Sequence, residues 1–219
     1  MTKIHTALGL RGTKPTRPTG HDRPTGHDRP ARPDRPTGPR RPRGRRRFLI
    51  VAAAILVLLA GLGVTTARWF VWPPRGMPAR VDAIVMLDGP GDRLRTTLTL
   101  AWAHRAPVVV ISRGSRYWGH GSVCAPPIPR VRVICFTPRP ATTRGEAEFA
   151  GRLAQRYHWH SIALVTVTPQ ATRARLRVQR CFPGRVYVMT APFPAREWPY
   201  EIGYEWGATV KALFLQRGC

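Results

Sequence analysis

The stretch Ser161-Ile-Ala-Leu-Val-Thr-Val167, followed by a helical pattern over residues 169–181, decides the fold of this chain. Its seven residues form a nearly unbroken apolar run rather than an alternating one. Such a run predicts a strand that is buried on both faces, as in a parallel sheet covered by helices.

The same strand and helix unit recurs on both sides of this stretch. Strands are predicted over residues 82–87, 108–112, 131–136 and 185–190, and helices over residues 93–105, 142–157 and 201–216. This alternation predicts the α/β class, with a Rossmann-like, mostly parallel five-stranded sheet and helices on both faces. Because ligands of such sheets bind beyond the carboxyl ends of the strands, we expect the functional site at that edge.

Residues 1–47 have the composition of a disordered tail. They hold eight prolines and 14 Lys/Arg against three Asp, and a Thr-Gly-His-Asp-Arg-Pro hexapeptide occurs twice in tandem. Such a segment cannot bury enough apolar surface to offset the entropy lost on ordering. The whole chain of 219 residues has a formal net charge of +25, which argues against an ordinary cytosolic enzyme. We expect anionic lipid head groups as partners of the tail, and no specific nucleic acid.

Residues 48–67 form an uncharged, predominantly apolar segment. As a helix it would be about 30 Å long, which matches the hydrocarbon thickness of a bilayer. Six arginines lie between Arg40 and Arg47, and Trp69, Phe70 and Trp72 follow the segment. The pattern predicts a single-pass plasma-membrane anchor with a cytoplasmic N-terminus, aromatic residues at the interface, a linker at 68–79 and an extracytoplasmic domain at 80–219.

Two alternatives to a retained anchor remain open. One is a signal peptide cleaved near Thr65-Thr66-Ala67, and the other is twin-arginine export through Arg45-Arg46-Arg47-Phe48-Leu49. Both would also place the domain outside the cytoplasm.

The four cysteines agree with export, since disulfides persist in oxidising compartments. Cys124 with Cys135 would close a Pro-rich loop, and Cys181 with Cys219 would tie the last helix to the preceding one. A Cys135–Cys181 bridge competes with this pairing. A zinc site is less favoured because the spacings are long and irregular, and no metal site is predicted.

Several short motifs follow one another in a recognisable order. They are Ala83-Ile-Val-Met-Leu-Asp88-Gly89, Arg93, Ser112-Arg113-Gly114, Thr142-Thr-Arg-Gly-Glu146-Ala147 and Val165-Thr166-Val-Thr168-Pro-Gln170-Ala-Thr-Arg173-Ala174. Together they resemble the membrane-associated DUF218 family, which includes the YdcF-like, SanA and ElyC envelope proteins, and the resemblance covers roughly residues 80–216. It implies a role in envelope integrity and in lipid-carrier or peptidoglycan metabolism, with nucleotide-like ligands in one branch.

Three positions depart from the family pattern. Gln170 replaces a His, Arg113 replaces a Gly, and Asp88 stands where the family usually has Gly. The loss of the His removes an acid or base on which a family mechanism could depend.

The strand ends and the resemblance together give the expected ligand-binding residues. They are Asp88, Gly89, Arg93, Ser112, Gly114, Thr142, Glu146, Thr166, Thr168, Gln170 and Arg173. Thr166 and Thr168 would hold a phosphate at a helix start, and Arg173 would add a charge-assisted contact. The alternative is a threonine N-cap beside a surface arginine.

Three further features have structural interpretations. Glu146 stands in the capping-box position relative to Thr143. Arg173 begins a basic helix face that continues with Arg175, Arg177 and Arg180, and we expect this face to be solvated or to meet anionic head groups. Asp88 and Asp92 are expected as turn residues, with a divalent metal as the less favoured alternative.

The sequence thus favours an extracytoplasmic domain that binds a phosphorylated envelope precursor, either a polyprenyl phosphate or a nucleotide-linked compound. An isoprenoid phosphate or peptidoglycan precursor is the expected partner. The alternative is a non-catalytic envelope scaffold with a degenerate site. Neither a reaction, nor a catalytic residue, nor a cofactor follows from the sequence.

Overall fold

The computed structural model describes residues 43–113, 124 and 128–219 of the chain. The tandem repeat of the tail and the predicted site residue Gly114 lie outside these residues. Residues 45–219 belong to one structural unit.

Within the described residues, five strands form a single parallel sheet. They are β1 (Ala83–Met86), β2 (Val108–Ser112), β3 (Arg132–Phe136), β4 (Ser161–Val167) and β5 (Arg185–Ala191). Their order in the sheet is β3-β2-β1-β4-β5, and every neighbouring pair is parallel. The α/β class and the five-stranded parallel sheet predicted from the sequence are confirmed.

Helices follow the strands as the alternating pattern predicts. They are α1 (Arg43–Thr66), α2 (Arg93–Trp102), α3 (Thr143–Arg156), α4 (Ala171–Cys181) and α5 (Trp198–Val210). Short 3₁₀ turns at Thr168–Gln170 and Ala195–Glu197 precede α4 and α5, and π-helical segments at Ala67–Val71 and Lys211–Leu215 follow α1 and α5. Helix α5 starts before the predicted residue 201 because Pro199 lies in its first turn, where a proline is tolerated.

The core has two parts, one on each face of the sheet. Successive residues of β1 point to opposite faces, so Val85 packs with α3 and α4 while Ile84 packs with α2. Small residues such as Ala150 and Ala174 allow α3 and α4 to lie close to the sheet and to each other. The sheet is therefore covered on both faces, and its carboxyl edge is left for a site.

Helix α1 differs from the others because its apolar side chains are exposed along its length. In the described part of the chain, one helix, Gly44–Val71 with its π-helical extension, is long and apolar enough to span a membrane. This agrees with the predicted anchor. Phe70, predicted as one of the interfacial aromatic residues, is fully buried against Trp206 of α5, with ring centroids 5.2 Å apart, so its ring packs on protein rather than on lipid.

The end of α1 is fixed to the carboxyl edge of the sheet. The Trp206 indole Nε1 donates a hydrogen bond to Thr66 Oγ1 at 3.0 Å. The Thr172 hydroxyl, at the start of α4, donates to the Trp69 carbonyl at 2.6 Å. The segment predicted as a linker therefore begins as ordered helix that packs on the domain.

Two disulfides, Cys124–Cys135 and Cys181–Cys219, join all four cysteines. The Cys135–Cys181 alternative does not form. The second bridge joins the C-terminal residue to the end of α4, which confirms the prediction that it ties the last helix to the preceding one.

The basic face of α4 is solvated only in part, because Arg175 and Arg180 are half-buried, and the expectation is corrected for its other two arginines. Arg173 and Arg177 are buried. Arg177 Nη1 donates to the Gln216 carbonyl at 2.7 Å, and Arg180 Nη1 donates to the Ala212 carbonyl at 2.7 Å. These guanidinium groups bind carbonyls that the end of the last helix leaves without a partner, which sequence spacing alone could not show.

Candidate functional site

A cleft of about 550 Å³ lies at the carboxyl edge of the sheet. Its walls come from the β1–α2 loop, the start of α3, the turn before α4, and the first two turns of α5 with the segment before them. The lining residues are Asp88, Gly89, Pro90, Arg93, Pro138, Ala141, Thr142, Thr143, Glu146, Gln170, Arg173, Phe193, Arg196, Glu197, Tyr200, Glu201 and Tyr204.

Most of the predicted ligand-binding residues meet in this cleft. Those that line it are Asp88, Gly89, Arg93, Thr142, Glu146, Gln170 and Arg173. Ser112, Thr166 and Thr168 are buried and do not line it. Direct contact of Thr166 and Thr168 with a ligand therefore stays a prediction, whereas Thr166 is bonded to Gln170, which lines the cleft.

Arg93 holds the β1–α2 loop from within. Its Nε donates to the Pro90 carbonyl at 2.8 Å, and its Nη1 donates to the carbonyls of Leu87 at 3.2 Å and Asp88 at 2.6 Å. Gly89 has a φ of +129°, and a Cβ there would lie 2.8 Å from Arg93 Nη2, so glycine is required. Burial lowers the pKa of Arg93 to about 10, and Glu146 opposes this shift.

Glu146 binds the loop that follows β1 rather than capping its own helix. The N-cap of α3 is Thr142, whose hydroxyl accepts the Gly145 N–H, so the predicted capping box of Thr143 and Glu146 is wrong. Glu146 Oε1 instead accepts the Asp88 N–H at 2.6 Å. The capping-box interpretation failed because it considered only neighbours in sequence, whereas Asp88 lies in the β1–α2 loop, 58 residues away.

The Glu146 carboxyl group is poised to change charge near neutral pH. Burial raises its pKa to about 7, although the Asp88 N–H, the nearby Ser112 hydroxyl and the Arg93 guanidinium all favour its charged form. The Ser112 Oγ is buried and has no regular hydrogen bond within the described residues. The Glu146 carboxylate therefore loses its negative charge as the pH drops below 7.

Arg173 is paired with Glu205, a fully buried residue of α5. Its Nε and Nη2 donate to the two Glu205 carboxylate oxygens, each at 2.6 Å, and its Nη1 donates to Thr143 Oγ1 at 2.9 Å. Burial favours the neutral form of Arg173, but the Glu205 bonds outweigh it and the pKa is raised. Arg173 thus lines the cleft as a charge-neutralised, fixed side chain.

A chain of polar side chains connects β4 to the cleft. The Thr166 hydroxyl donates to Gln170 Oε1, and Gln170 Nε2 donates to Thr143 Oγ1 at 3.1 Å. Since Arg173 also donates to Thr143 Oγ1, that hydroxyl oxygen accepts two hydrogen bonds. A threonine hydroxyl has two acceptor positions and one proton, so the Thr143 proton must point away from both donors.

Carboxylates form the remaining wall of the cleft, and sequence reasoning did not assign them to the site. Glu197 and Glu201 line it, and burial together with Glu205 raises the pKa of Glu201. Residues 48–219 contain eight acidic residues, and four of them line this one cleft. The available signal was the pair Glu201 and Glu205, which lie four residues apart and so share one helix face.

The described residues contain no group of three or more His, Cys, Asp or Glu side chains placed to hold a metal ion. Asp92, the second member of the alternative metal pair, does not line the cleft and lies 3.9 Å from Arg95. Comparisons of the chain with protein-family models, with curated proteins and with solved structures find no match.

Proposed function

We propose that this protein is a membrane-anchored extracytoplasmic domain that binds the phosphorylated head group of an envelope precursor, with a polyprenyl phosphate as the preferred class and a nucleotide-linked precursor as the other. In this proposal α1 spans the plasma membrane with its N-terminus in the cytoplasm. The arginines before Phe48 support that orientation.

The proximity of the cleft to the end of α1 carries the proposal. Gln170 lines the cleft, and Thr172, two residues further along the chain, is bonded to the Trp69 carbonyl. Two residues of helix advance about 3 Å along its axis. A cleft this close to the end of a span can receive the head group of a lipid that stays in the bilayer.

The floor of the cleft suits a phosphate. Helices α3 and α4 both begin there, with Thr142 and Gln170 as their N-cap residues, and helix N-termini favour anions through their unpaired N–H groups. The Thr143 hydroxyl proton, directed away from Gln170 and Arg173, adds a donor. The strand order β3-β2-β1-β4-β5 supports a Rossmann-like assignment, in which ligands bind where the order reverses, here between β1 and β4.

The carboxylate wall suits the rest of a polar head group. Glu146, Glu197 and Glu201 accept hydrogen bonds, and sugar hydroxyl or ammonium groups supply them. A ligand with a phosphate at one end and hydroxyl groups beyond it would match both halves of the cleft. This is the chemistry of a lipid-linked sugar precursor, and it is also consistent with the proposed relationship to the DUF218 family.

The proposal is for binding and does not include turnover. A second candidate function is the non-catalytic scaffold, and one observation favours it. The guanidinium groups of Arg93 and Arg173 are already bonded to carbonyls, a carboxylate and a hydroxyl of the protein itself. Two of the three arginines that line the cleft, all but Arg196, thus serve the fold, as they would in a degenerate site.

Titration of the full chain in lipid nanodiscs separates the two functions. We expect an isoprenoid phosphate to bind at least about tenfold more tightly than the corresponding isoprenoid alcohol, since hydrogen bonds to a charged group contribute about 1.5–3 kcal/mol. Ala141→Trp, which fills the mouth of the cleft, should abolish binding. The matched control Ala103→Trp, at the exposed far end of α2, should leave it unchanged. Equal binding of phosphate and alcohol would favour the scaffold.

A further inference from the structure

Helix α5 buries a polar face and exposes an aromatic and apolar one, which is the reverse of an ordinary surface helix. Its buried face carries Glu201, Glu205 and Thr209. Its exposed face carries Tyr200 and Tyr204, and continues into Phe214 and Leu215 of the π-helical segment. Tyr200 is 77% exposed and Leu215 is 78% exposed.

The exposed residues form one stripe along the helix. Tyr200, Tyr204, Gly207, Lys211 and Phe214 recur at intervals of three or four residues, which places them on one side of a helix with 3.6 residues per turn. From Tyr200 to Phe214 the stripe is about 21 Å long. We call these five residues, with Leu215, the α5 stripe. It contains one charged residue, Lys211, and no acidic residue.

The depth of the stripe relative to the membrane follows from Trp206. This residue lies in the middle of α5 and donates its indole N–H to Thr66, in the last turn of α1. Its ring also packs on Trp69 with centroids 5.7 Å apart. If residues 48–67 fill the hydrocarbon layer, then Thr66 lies at its boundary and Trp206 lies at the level of the head groups.

We propose that the α5 stripe lies in the outer interfacial layer of the bilayer that α1 spans, so that α5 is a second, in-plane membrane contact of this domain. The inference rests on the proposed span but is independent of any ligand in the cleft. Aromatic residues and a single lysine on an otherwise apolar helix face are typical of helices that lie in the membrane interface.

This placement has a consequence for the cleft. Tyr200 and Tyr204 belong both to the α5 stripe and to the lining of the cleft. With the stripe in the interface, the cleft would open at the lipid surface rather than into bulk solvent. The carboxylates on the buried face of α5 would then point into the domain, away from lipid.

Photocrosslinking of the full chain tests the placement. A benzoylphenylalanine at Phe214, in nanodiscs of phosphatidylcholine and phosphatidylglycerol, should form lipid adducts that intact-mass analysis detects. The same residue at Trp102, which is 53% exposed on α2, is the matched control and should give none above background. A third position, Tyr200, should also label lipid, because it lies at the other end of the stripe.

Each other outcome overturns the proposal. A crosslinked dimer at position 214 would show that a second copy of the chain covers the stripe. Labelling at 214 no higher than at 102 would show that the stripe faces water. Formation of both disulfides in the labelled protein, checked by non-reducing peptide mapping, ensures that each result comes from folded chain.

Discussion

Replacing Glu205 by Gln tests the most heavily buried electrostatic feature of the site. Glu205 is fully buried and accepts two hydrogen bonds of 2.6 Å from Arg173, whose side chain is 10% exposed. Glu205→Gln keeps the shape of the side chain but removes its charge. The Arg173 guanidinium then stays buried with its charge uncompensated, because Thr143, its other partner, is neutral.

We expect Glu205→Gln to lower the free energy of unfolding by a large amount for a single substitution. Breaking a buried ion pair by removing one partner costs about 3–5 kcal/mol. For a domain of this size each kcal/mol lowers the melting temperature by roughly 2–4 °C, so we expect a decrease of roughly 6–20 °C. Near-ultraviolet circular dichroism of the full chain in detergent reports the unfolding, since Trp206 packs beside this region.

Glu148 provides a matched control in the same domain. It also accepts a hydrogen bond of 2.8 Å from an arginine, Arg144, but that arginine side chain is 39% exposed. Exposed pairs of this kind contribute about 0.2–1 kcal/mol, so Glu148→Gln should change the melting temperature by at most a few degrees. The reasoning would be refuted if both substitutions lowered the melting temperature equally. The double variant Arg173→Met with Glu205→Leu should recover most of the lost stability, because it removes both charges.

Three further predictions concern charge, covalent links and topology. The folded-state pKa of Glu146 is raised to about 7, so its contribution to stability is full below its unfolded pKa near 4.5 and is lost as the pH rises through 7. Glu146→Gln should therefore flatten the dependence of the free energy of urea unfolding on pH between pH 5 and pH 8, relative to the original chain. An unchanged pH dependence would contradict the raised pKa. Replacing Cys181 and Cys219 by Ser should lower the free energy of unfolding by about 4 kcal/mol, because the bridge closes a loop with a 38-residue separation. Denaturant titration measures this loss, and a loss near zero would contradict the prediction. A reporter active only outside the cytoplasm should work after Cys219 and fail near Gly12, whereas the reverse pattern would overturn the proposed orientation.

The fold could be predicted from the sequence because it depends on patterns local to each element. The apolar run at Ser161–Val167 is buried on both faces, so it predicts a parallel strand without knowledge of its neighbours. The same holds for Val108–Ser112, whose predicted bounds are those of β2. Elements whose ends depend on tertiary contacts were less predictable, such as the helical extension of α1 through Phe70.

The site was only partly predictable because its bonds join residues far apart in sequence. Glu146 and Asp88 are separated by 58 residues, and Arg173 and Glu205 by 32. Patterns along the chain predict Arg173 as a phosphate contact or a surface arginine, and Glu146 as a cap and a site residue. They do not predict the bonds to Glu205 and Asp88, because these partners come from other elements. The strand-end rule nevertheless selected the edge of the sheet at which the cleft lies, because it depends on topology rather than on individual contacts.

The charge of the residues that line the cleft could not be predicted from the composition either. The chain has a net charge of +25, yet Arg177 and Arg180 of α4 bind backbone carbonyls, and the cleft is lined by four acidic residues beside three arginines. Net charge describes the surface as a whole and carries no information on where the few carboxylates lie.

Photoaffinity labelling in the membrane tests most directly the claim that the cleft holds the head group of a lipid-linked phosphate. The full chain in nanodiscs would be irradiated with an isoprenoid phosphate that carries a photoreactive group next to its phosphate. The account predicts adducts at the start of α3 and at Tyr200 and Tyr204 of α5, reduced by excess isoprenoid phosphate but not by the alcohol. Labelling confined to α1, or labelling that the alcohol reduces equally, would contradict it.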